Sequence, residues 1–302
     1  MGASVRVVIS AEASAYMAWQ TKLAHYSCLS RLGQAPLAVV HERDPEDLQD
    51  LCDITRTGGA VLYAPSYRTT SRGFRYAARN TAGTLLEAVR VLDPDVETLV
   101  LCDADVVFAR RPRFGRTLAG AQCAYLDYTE PPVRAAMRRL GIAPRDIAPF
   151  GNGLDCGIPY VIPRACAEPL AHAWLQAIDA FVMPRWEDVM YAFGLAAVTL
   201  GLRPRRTRVA ETNYDPEAPV RAPVVHYCYD NEGWSKRRFA SRRAARQVWC
   251  PPGGAKPGTL LAEVFRQLRE ADRFFARPGG ARDDPGILRR TQKKTLRPHG
   301  VS

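Results

Sequence analysis

Short apolar runs alternate with longer amphipathic segments along the first part of the chain. Two segments, residues 15–32 and 76–91, have the spacing of amphipathic helices. Four runs have the length and composition of buried strands, at residues 5–10, 37–41, 61–64 and 98–102. This alternation predicts an α/β fold, with a mostly parallel sheet and helices on both faces, and it places ligand sites at the carboxyl ends of the strands.

The pattern loosens after the next strand candidate, residues 121–126. A turn-rich segment at 151–157 and a final amphipathic helix at 260–275 bound the second part of the chain. Between them the apolar spacing predicts helices near 132–140, 166–181 and 186–200, and strands at 158–162 and 224–228.

Composition fits a folded enzyme-sized protein. The chain has 302 residues, of which 47% are hydrophobic, so it can bury a sizeable core. No run approaches the roughly 18 uncharged apolar residues of a membrane span, and the first residues lack the apolar core of a signal peptide. We therefore expect a soluble, cytoplasmic protein. The eight cysteines form no CxxC pair, so reduced thiols are expected.

The net charge of +11 has three interpretations. It is a solvated basic surface, a field that attracts an anionic ligand such as a nucleotide diphosphate, or a nucleic-acid surface. The last is weakened because no nucleic-acid-binding module is recognisable. One basic group (Arg72, Arg75 and Arg79) precedes the fourth strand, and another (residues 236–238) follows the last strand. We expect the two groups to converge on one cleft.

The acidic triplet Asp103-Ala104-Asp105 is the main candidate for chemistry. An Asp-x-Asp pattern alone means little, since ordinary composition gives about one by chance in a chain of this length. Residues 93–95 are such a chance match, in a turn. Asp103 and Asp105 differ from that chance match because one apolar run precedes them directly and another follows. Two carboxylates there are costly without a cation between them, and their oxygens suit Mg²⁺ or Mn²⁺. The alternative is a pair of capping or turn aspartates.

Polar candidates also occur in four other segments. His226 follows the last apolar run, where it is either a metal ligand or a packed core residue. Asn152 lies between two glycines, in a turn that approaches a sugar or simply faces solvent. Glu187 and Asp188 open a helix, where they serve catalysis or complement the helix dipole. Lys236 and the arginines after it either neutralise a leaving diphosphate or form a solvated charge run.

Taken in order, several segments resemble one family, the plant hydroxyproline O-arabinosyltransferases with the related peptidyl serine α-galactosyltransferases. The matching segments are residues 16–20, 76–83, 103–105, 190–192 and 226–227. They are similar to the family's Trp-Gln helix, its Tyr-Pro-x-x-Asn-Lys-Pro-Ala-Gly stretch, and its Glu-Pro-Asp, Glu-Met-Tyr and His-Tyr motifs. Val189 departs from the pattern, because the family has a glutamate before Met-Tyr. The role of that glutamate would pass to Glu187 or Asp188, or be absent.

The resemblance implies a GT-A-like fold and a metal-dependent glycosyltransferase that retains anomeric configuration. We expect a nucleotide-sugar donor, a UDP-sugar carrying a pentose or hexose, and an acceptor hydroxyl on a peptide or small molecule. The expected ligands of Mn²⁺ or Mg²⁺ are Asp103, Asp105 and His226. The candidate catalytic residues are Asp103, Asp105, Glu187 and Asp188. The candidate donor-binding residues are Ser10, Arg79, Asn80, Asn152 and Lys236.

The expected organisation has three parts. A transferase domain spans residues 1–235, a helical extension spans 236–276, and a flexible basic tail spans 277–302. The alternative functions are a nucleotidyltransferase, which would use the same carboxylates and metal but attack at phosphorus, and a non-catalytic protein that binds a nucleotide sugar or nucleic acid. Nucleic acid is not the expected partner.

Overall fold

The computed structural model describes residues 4–42, 48–213, 215–227 and 234–276, so the expected tail at 277–302 lies outside the described residues. The strands are β1 (Val5–Glu12), β2 (Leu37–His41), β3 (Ala60–Ala64), β4 (Thr98–Asp103), β5 (Val106–Phe108), β6 (Ala119–Gln122), β7 (Cys156–Pro163), β8 (Arg205–Arg206), β9 (Ala210–Asn213) and β10 (Val224–Tyr227). The α-helices are α1 (Ala15–Leu32), α2 (Gln49–Arg56), α3 (Arg79–Val91), α4 (Pro131–Arg139), α5 (Pro144–Ile147), α6 (Arg164–Asp179), α7 (Asp188–Thr199), α8 (Arg242–Ala245) and α9 (Leu260–Ala276). Two 3₁₀ helices cover Ala148–Leu154 and Lys236–Phe239.

The central sheet has seven strands in the order β3-β2-β1-β4-β7-β6-β8. Strands β3, β2, β1 and β4 are mutually parallel, whereas β7 runs antiparallel to both of its neighbours. The predicted α/β fold with a mostly parallel sheet is therefore confirmed. The chain winds outward from β1 to β3 and then returns to place β4 on the other side of β1. Such a switch in winding direction opens a crevice at the carboxyl ends of β1 and β4.

Helices cover both faces of this sheet, as its continuous apolar strands require. Neighbouring residues of β1 and β4 point to opposite faces. Val8 and Leu101 pack in a core with α3, α6 and α7, whereas Val7 and Val100 pack in a second core with α1 and α2. Because the strands are buried on both sides, the carboxyl-end crevice is where the sheet can meet a ligand.

A second sheet begins immediately after β4. Strand β5 pairs antiparallel with β10, and β10 pairs parallel with β9. The acidic triplet therefore lies at the point where the chain leaves one sheet and enters the other. A third core joins this small sheet to α1 and α9, with Trp19, Val225, Trp234 and Leu268 among its buried side chains. No helix in the described ranges has the length and apolar character needed to cross a membrane.

Several predicted boundaries shift in the structure. Strand β6 ends at Gln122, because residues 123–126 form a turn closed by a hydrogen bond from Leu126 N to Cys123 O at 3.2 Å. Helix α3 begins at Arg79, since Tyr76 lies before it and bonds across to the start of α7. Helix α2 was not predicted, because only three of its side chains are buried and its apolar signal is correspondingly weak.

Candidate metal and donor site

Three possible metal ligands meet at the junction of the two sheets. Asp103 ends β4, and Asp105 lies one residue before β5. His226 is opposite Val106 in the β5–β10 register, which brings its ring beside both carboxylates. His226 Nε2 is 2.9 Å from Asp105 Oδ1 and 4.0 Å from Asp103 Oδ2. One ligand atom from each residue lies within 4.8 Å of the others, close enough for a single ion.

Lys236 supplies a positive charge at the same carboxylates. Its ammonium contacts Asp105 Oδ2 and donates a hydrogen bond to Tyr227 O at 3.1 Å. Ser235 fixes the local backbone, because its hydroxyl caps the following 3₁₀ turn by accepting from Arg237 N. The side chain of Lys236 is 12% exposed and that of Asp105 is 13% exposed, so the contact is largely shielded from water.

The two aspartates have opposite pKa shifts. Burial raises the pKa of Asp103 to about 6, although the positive charge of His226 opposes the rise. Burial also acts to raise the pKa of Asp105, but His226 and Lys236 outweigh it through their charges and hydrogen bonds, and the pKa falls well below its ordinary value. Asp105 is thus the carboxylate that the surrounding chain keeps ionised.

Two polar networks line the crevice next to the triplet. Ser10 of β1 is opposite Asp103 in the parallel register. Its hydroxyl lies 2.8 Å from that of Thr84, which is in turn 2.7 Å from His41 Nε2. In the second network, Asn80 Nδ2 donates to Glu12 Oε1 at 3.0 Å. Ser10 and Asn80 are therefore held in place rather than left to rotate in solvent.

A cavity of about 520 Å³ lies at this junction. Its polar lining residues include Asp103, Asp105, His226 and Lys236, together with Ser10, Glu12 and Asn80. Its apolar and aromatic lining residues include Tyr125, Tyr160, Trp186 and Met190. A cavity of this size fits a drug-sized or nucleotide-sized ligand.

Four predicted site residues are not in the cavity lining: Arg79, Asn152, Glu187 and Asp188. The guanidinium of Arg79 is bound to Asp179 by two hydrogen bonds of 3.0 and 2.9 Å. Glu187 and Asp188 are held by Arg185, at 3.2 and 3.0 Å. Asn152 lies exposed in a 3₁₀ helix, where its carbonyl accepts from Arg206. Their catalytic and donor-binding roles stay predictions.

The two predicted basic groups do not converge fully. Lys236 and Arg237 line the cavity, whereas Arg72 and Arg75 are exposed and do not line it. Arg79 is occupied by Asp179, as described above. The positive charge at the cavity therefore comes from the segment after the last strand.

Sequence reasoning missed Glu12, Tyr125 and Trp186 as cavity residues. Glu12 ends β1 in the way that Asp103 ends β4, so the rule that ligand sites lie at carboxyl strand ends could have found it. Tyr125 and Trp186 lie in loops far apart in sequence, and no local pattern brings them together. Only the folded chain shows that they meet.

No family model matches this chain, and no curated protein matches it by sequence. Its structure is similar to that of the galactosyltransferase LgtC in complex with donor and acceptor sugar analogues, with 12% identity and a TM-score of 0.44 over 80% of this chain and 95% of that one. It is also similar to mouse xyloside xylosyltransferase 1 in its apo form, with 8% identity and a TM-score of 0.41 over 74% and 97%. A third similar structure is the apo bifunctional glycosyltransferase WbbM, with 12% identity and a TM-score of 0.44 over 88% and 52%.

All three similar structures are glycosyltransferases. None of them is a hydroxyproline arabinosyltransferase, so membership of that family stays a prediction.

Proposed function

We propose that this protein is a metal-dependent glycosyltransferase that uses a nucleotide-sugar donor. One observation supports this most directly. Asp103, Asp105 and His226 present ligand atoms within 4.8 Å of one another, at the carboxyl end of the sheet where the winding direction switches. The Asp-x-Asp pattern of the sequence thus meets an imidazole from a strand more than a hundred residues away, in a cavity large enough for a nucleotide.

The donor set fits a divalent cation. Two carboxylate oxygens and one imidazole nitrogen suit Mn²⁺, and the oxygens suit Mg²⁺. Metal–ligand bonds of roughly 2.1 Å would place ligands on opposite sides of an ion about 4.2 Å apart, and the three candidate ligand atoms here all lie within 4.8 Å of one another. A bound cation would neutralise charge on the diphosphate as the sugar–oxygen bond breaks.

The chain's own residues would complete the donor site. Lys236 contacts Asp105 at the position where a cation would compete for the same carboxylate. Its ammonium could then turn to the diphosphate, together with Arg237 in the same cavity wall. Ser10 and Asn80 hold hydrogen-bonding groups on the β1 side, where the nucleoside would lie. The resemblance implies retention, so no protein carboxylate is assigned as a general base.

Donor hydrolysis and binding test this proposal. Purified protein with Mn²⁺ is mixed with a panel of nucleotide sugars, and melting temperature and released nucleoside diphosphate are measured. We expect a stabilising donor whose slow hydrolysis stops with excess chelator and in Asp105→Asn. Asp95→Asn is the matched control, because Asp95 belongs to the exposed Asp-x-Asp turn before β4.

Three outcomes would contradict the proposal. Full activity of Asp105→Asn would remove that carboxylate from the mechanism. Undiminished activity in chelator would remove the metal. Pyrophosphate release from a nucleoside triphosphate, without hydrolysis of any nucleotide sugar, would instead identify a nucleotidyltransferase.

A further inference from the structure

Trp186 is exposed, in contrast to the other tryptophans. The chain has five tryptophans. Trp186 is 65% exposed, whereas Trp19, Trp174, Trp234 and Trp249 are all buried. A single exposed aromatic residue needs no explanation, but a group of them at the wall of a cavity is typical of a binding surface. Trp186 lines the same cavity as the candidate metal ligands Asp103, Asp105 and His226, which makes it such a case.

A second aromatic ring accompanies it. Tyr125 is 45% exposed and also lines the cavity. The ring centroids of Tyr125 and Trp186 are 6.1 Å apart, with 42° between their planes. The rings are therefore neither stacked on each other nor edge to face. Two tilted rings that both remain accessible form an open corner, into which a ring-sized ligand can fit.

The backbone under these rings is fixed. The hydroxyl of Tyr76 donates to Trp186 O at 3.1 Å and accepts from Val189 N at 2.8 Å, so a buried tyrosine clamps the loop to α7. The hydroxyl of Tyr125 contacts Met190 Sδ at 3.4 Å. The exposure of Trp186 therefore does not come from an unattached loop. The chain orders this segment and still leaves the indole in solvent, as a preformed recognition site requires.

The cavity combines these rings with hydrogen-bonding groups. Glu12 and Gln20 line it together with the two aromatic residues. A pyranose ring has the matching chemistry, because its C–H face packs on an aromatic ring while its hydroxyls at the rim donate and accept hydrogen bonds. A peptide main chain would instead be recognised along an extended groove or sheet edge. The aromatic surface here is concentrated at one corner.

We propose that Trp186 and Tyr125 form the acceptor subsite, and that the acceptor is a glycoside whose pyranose ring stacks on Trp186. This inference rests on the proposed transferase function and names the substrate class that its second site takes. Trp186 would then set acceptor specificity, and the sugar hydroxyl to be modified would face the candidate metal ligands, which line the same cavity.

Tryptophan fluorescence tests the subsite without any catalysis. Because the other tryptophans are buried, Trp186 is the one whose emission a ligand in this cavity would alter most. Wild-type protein is titrated with methyl β-galactoside, lactose, cellobiose and chitobiose, and separately with a hydroxyproline-containing peptide. We expect a saturable blue shift with at least one glycoside, which is absent in Trp186→Phe and kept in Met183→Ala. Met183 is the matched control, since it is 75% exposed and apolar but does not line the cavity.

Transfer kinetics with the glycoside that binds provide the second readout. Loss of one stacking contact in Trp186→Ala should raise the acceptor KM about tenfold and change kcat much less. Trp186→Phe should restore most of the affinity, because a flat ring is again present. An unchanged KM in Trp186→Ala would overturn the assignment even if the protein is an active transferase.

The outcomes separate this inference from the proposed function. Normal donor hydrolysis with no fluorescence response to any glycoside would overturn the subsite and leave the transferase standing. A response to the peptide alone would overturn the glycoside as acceptor. A response to a glycoside in a protein that binds no nucleotide sugar would show a glycoside-binding site, but would contradict both the transferase and the role of this site in binding an acceptor.

Discussion

Asp105 is the most constrained carboxylate of the cavity. Its oxygens meet His226 on one side and Lys236 on the other, and its side chain is largely shielded from water. Removing the whole carboxylate would leave the ammonium of Lys236 without its main counter-charge, and a buried unpaired charge is strongly destabilising. Asparagine keeps the shape and one acceptor oxygen. The substitution Asp105→Asn therefore separates loss of the metal from loss of the fold better than alanine does.

Replacing Lys236 should change the affinities for metal ion and for nucleotide in opposite directions. In Lys236→Gln the ammonium no longer competes for Asp105, so Mn²⁺ alone should bind about three- to tenfold more tightly. The diphosphate loses a cation, so UDP in the presence of Mn²⁺ should bind about tenfold more weakly. Isothermal titration measures both. Lys256→Gln is the control, because Lys256 is exposed and does not line the cavity. A change of the same sign in both titrations would show that Lys236 does not exchange between the two partners.

Part of this cavity can be predicted from the sequence, because some of its residues are identified by their immediate neighbours along the chain. Asp103 ends an apolar run, so the carboxyl-end rule identifies it without knowledge of the fold. His226 is identified only as a polar residue next to the apolar residues of β10. Arg79 shows the limit of that approach. Its position before β4 suggested a phosphate-binding arginine, but the fold brings Asp179 of α6 within 2.9 Å and binds the guanidinium there. A competing partner 100 residues away leaves no trace in the local pattern.

At the level of elements, α1 connects the cavity to the rest of the molecule. Neighbouring residues fix both of its ends, since the side chain of Ser14 accepts a hydrogen bond from Met17 N and Gly33 ends the helix at a φ of 70°. The element that packs against the outer side of α1 cannot be predicted from the sequence. Helix α9 was predicted, yet its docking on α1 and the small second sheet depends on side chains from separate segments, such as Trp234 and Phe265.

The burial of His25 in α1 should make the stability of the fold sensitive to acid. Burial, assisted by the charge of Arg6, lowers the pKa of His25 to about 4, from an ordinary value of 6.5. In the unfolded chain His25 therefore binds a proton below pH 6.5, whereas in the folded chain it binds one only below about pH 4. Stability is then fully present above pH 6.5 and is lost as the pH falls through this window, by up to roughly 3 kcal/mol.

Replacement of His25 tests this linkage. In His25→Gln the free energy of unfolding in urea, measured at a series of pH values, should fall less steeply between pH 6.5 and 4 than in the wild type. His172→Gln serves as the control, because His172 is exposed on α6. Parallel wild-type and His25→Gln profiles would mean that His25 is protonated in the folded protein too.

For the whole molecule, the distribution of the basic residues matters more than the net charge of +11. Several exposed arginines, including Arg113, Arg116 and Arg205, lie at or just before the first residues of β6 and β8. These strand ends are at the same edge of the sheet as Pro163 of β7 and Thr98 of β4. That is the amino end of β4, opposite to the end that carries Asp103. Among the residues that the structure describes, exposed positive charge therefore lies on this remote arginine surface as well as in the cavity, at Lys236 and Arg237.

This division predicts how binding responds to salt. A donor diphosphate held by one metal ion and one or two cations should weaken only a few-fold between low and moderate salt, because few counterions are released. Duplex DNA bound by the arginine surface would release many counterions, and its affinity should fall by orders of magnitude over the same range. Both affinities are measured by titration with Mn²⁺ present. In Arg113→Ser/Arg116→Ser, we expect residual duplex binding to weaken and donor binding to stay unchanged, since neither arginine lines the cavity. Tight duplex binding that persists at moderate salt, with no binding of any nucleotide sugar, would show that the positive field serves nucleic acid and would contradict the proposed transferase.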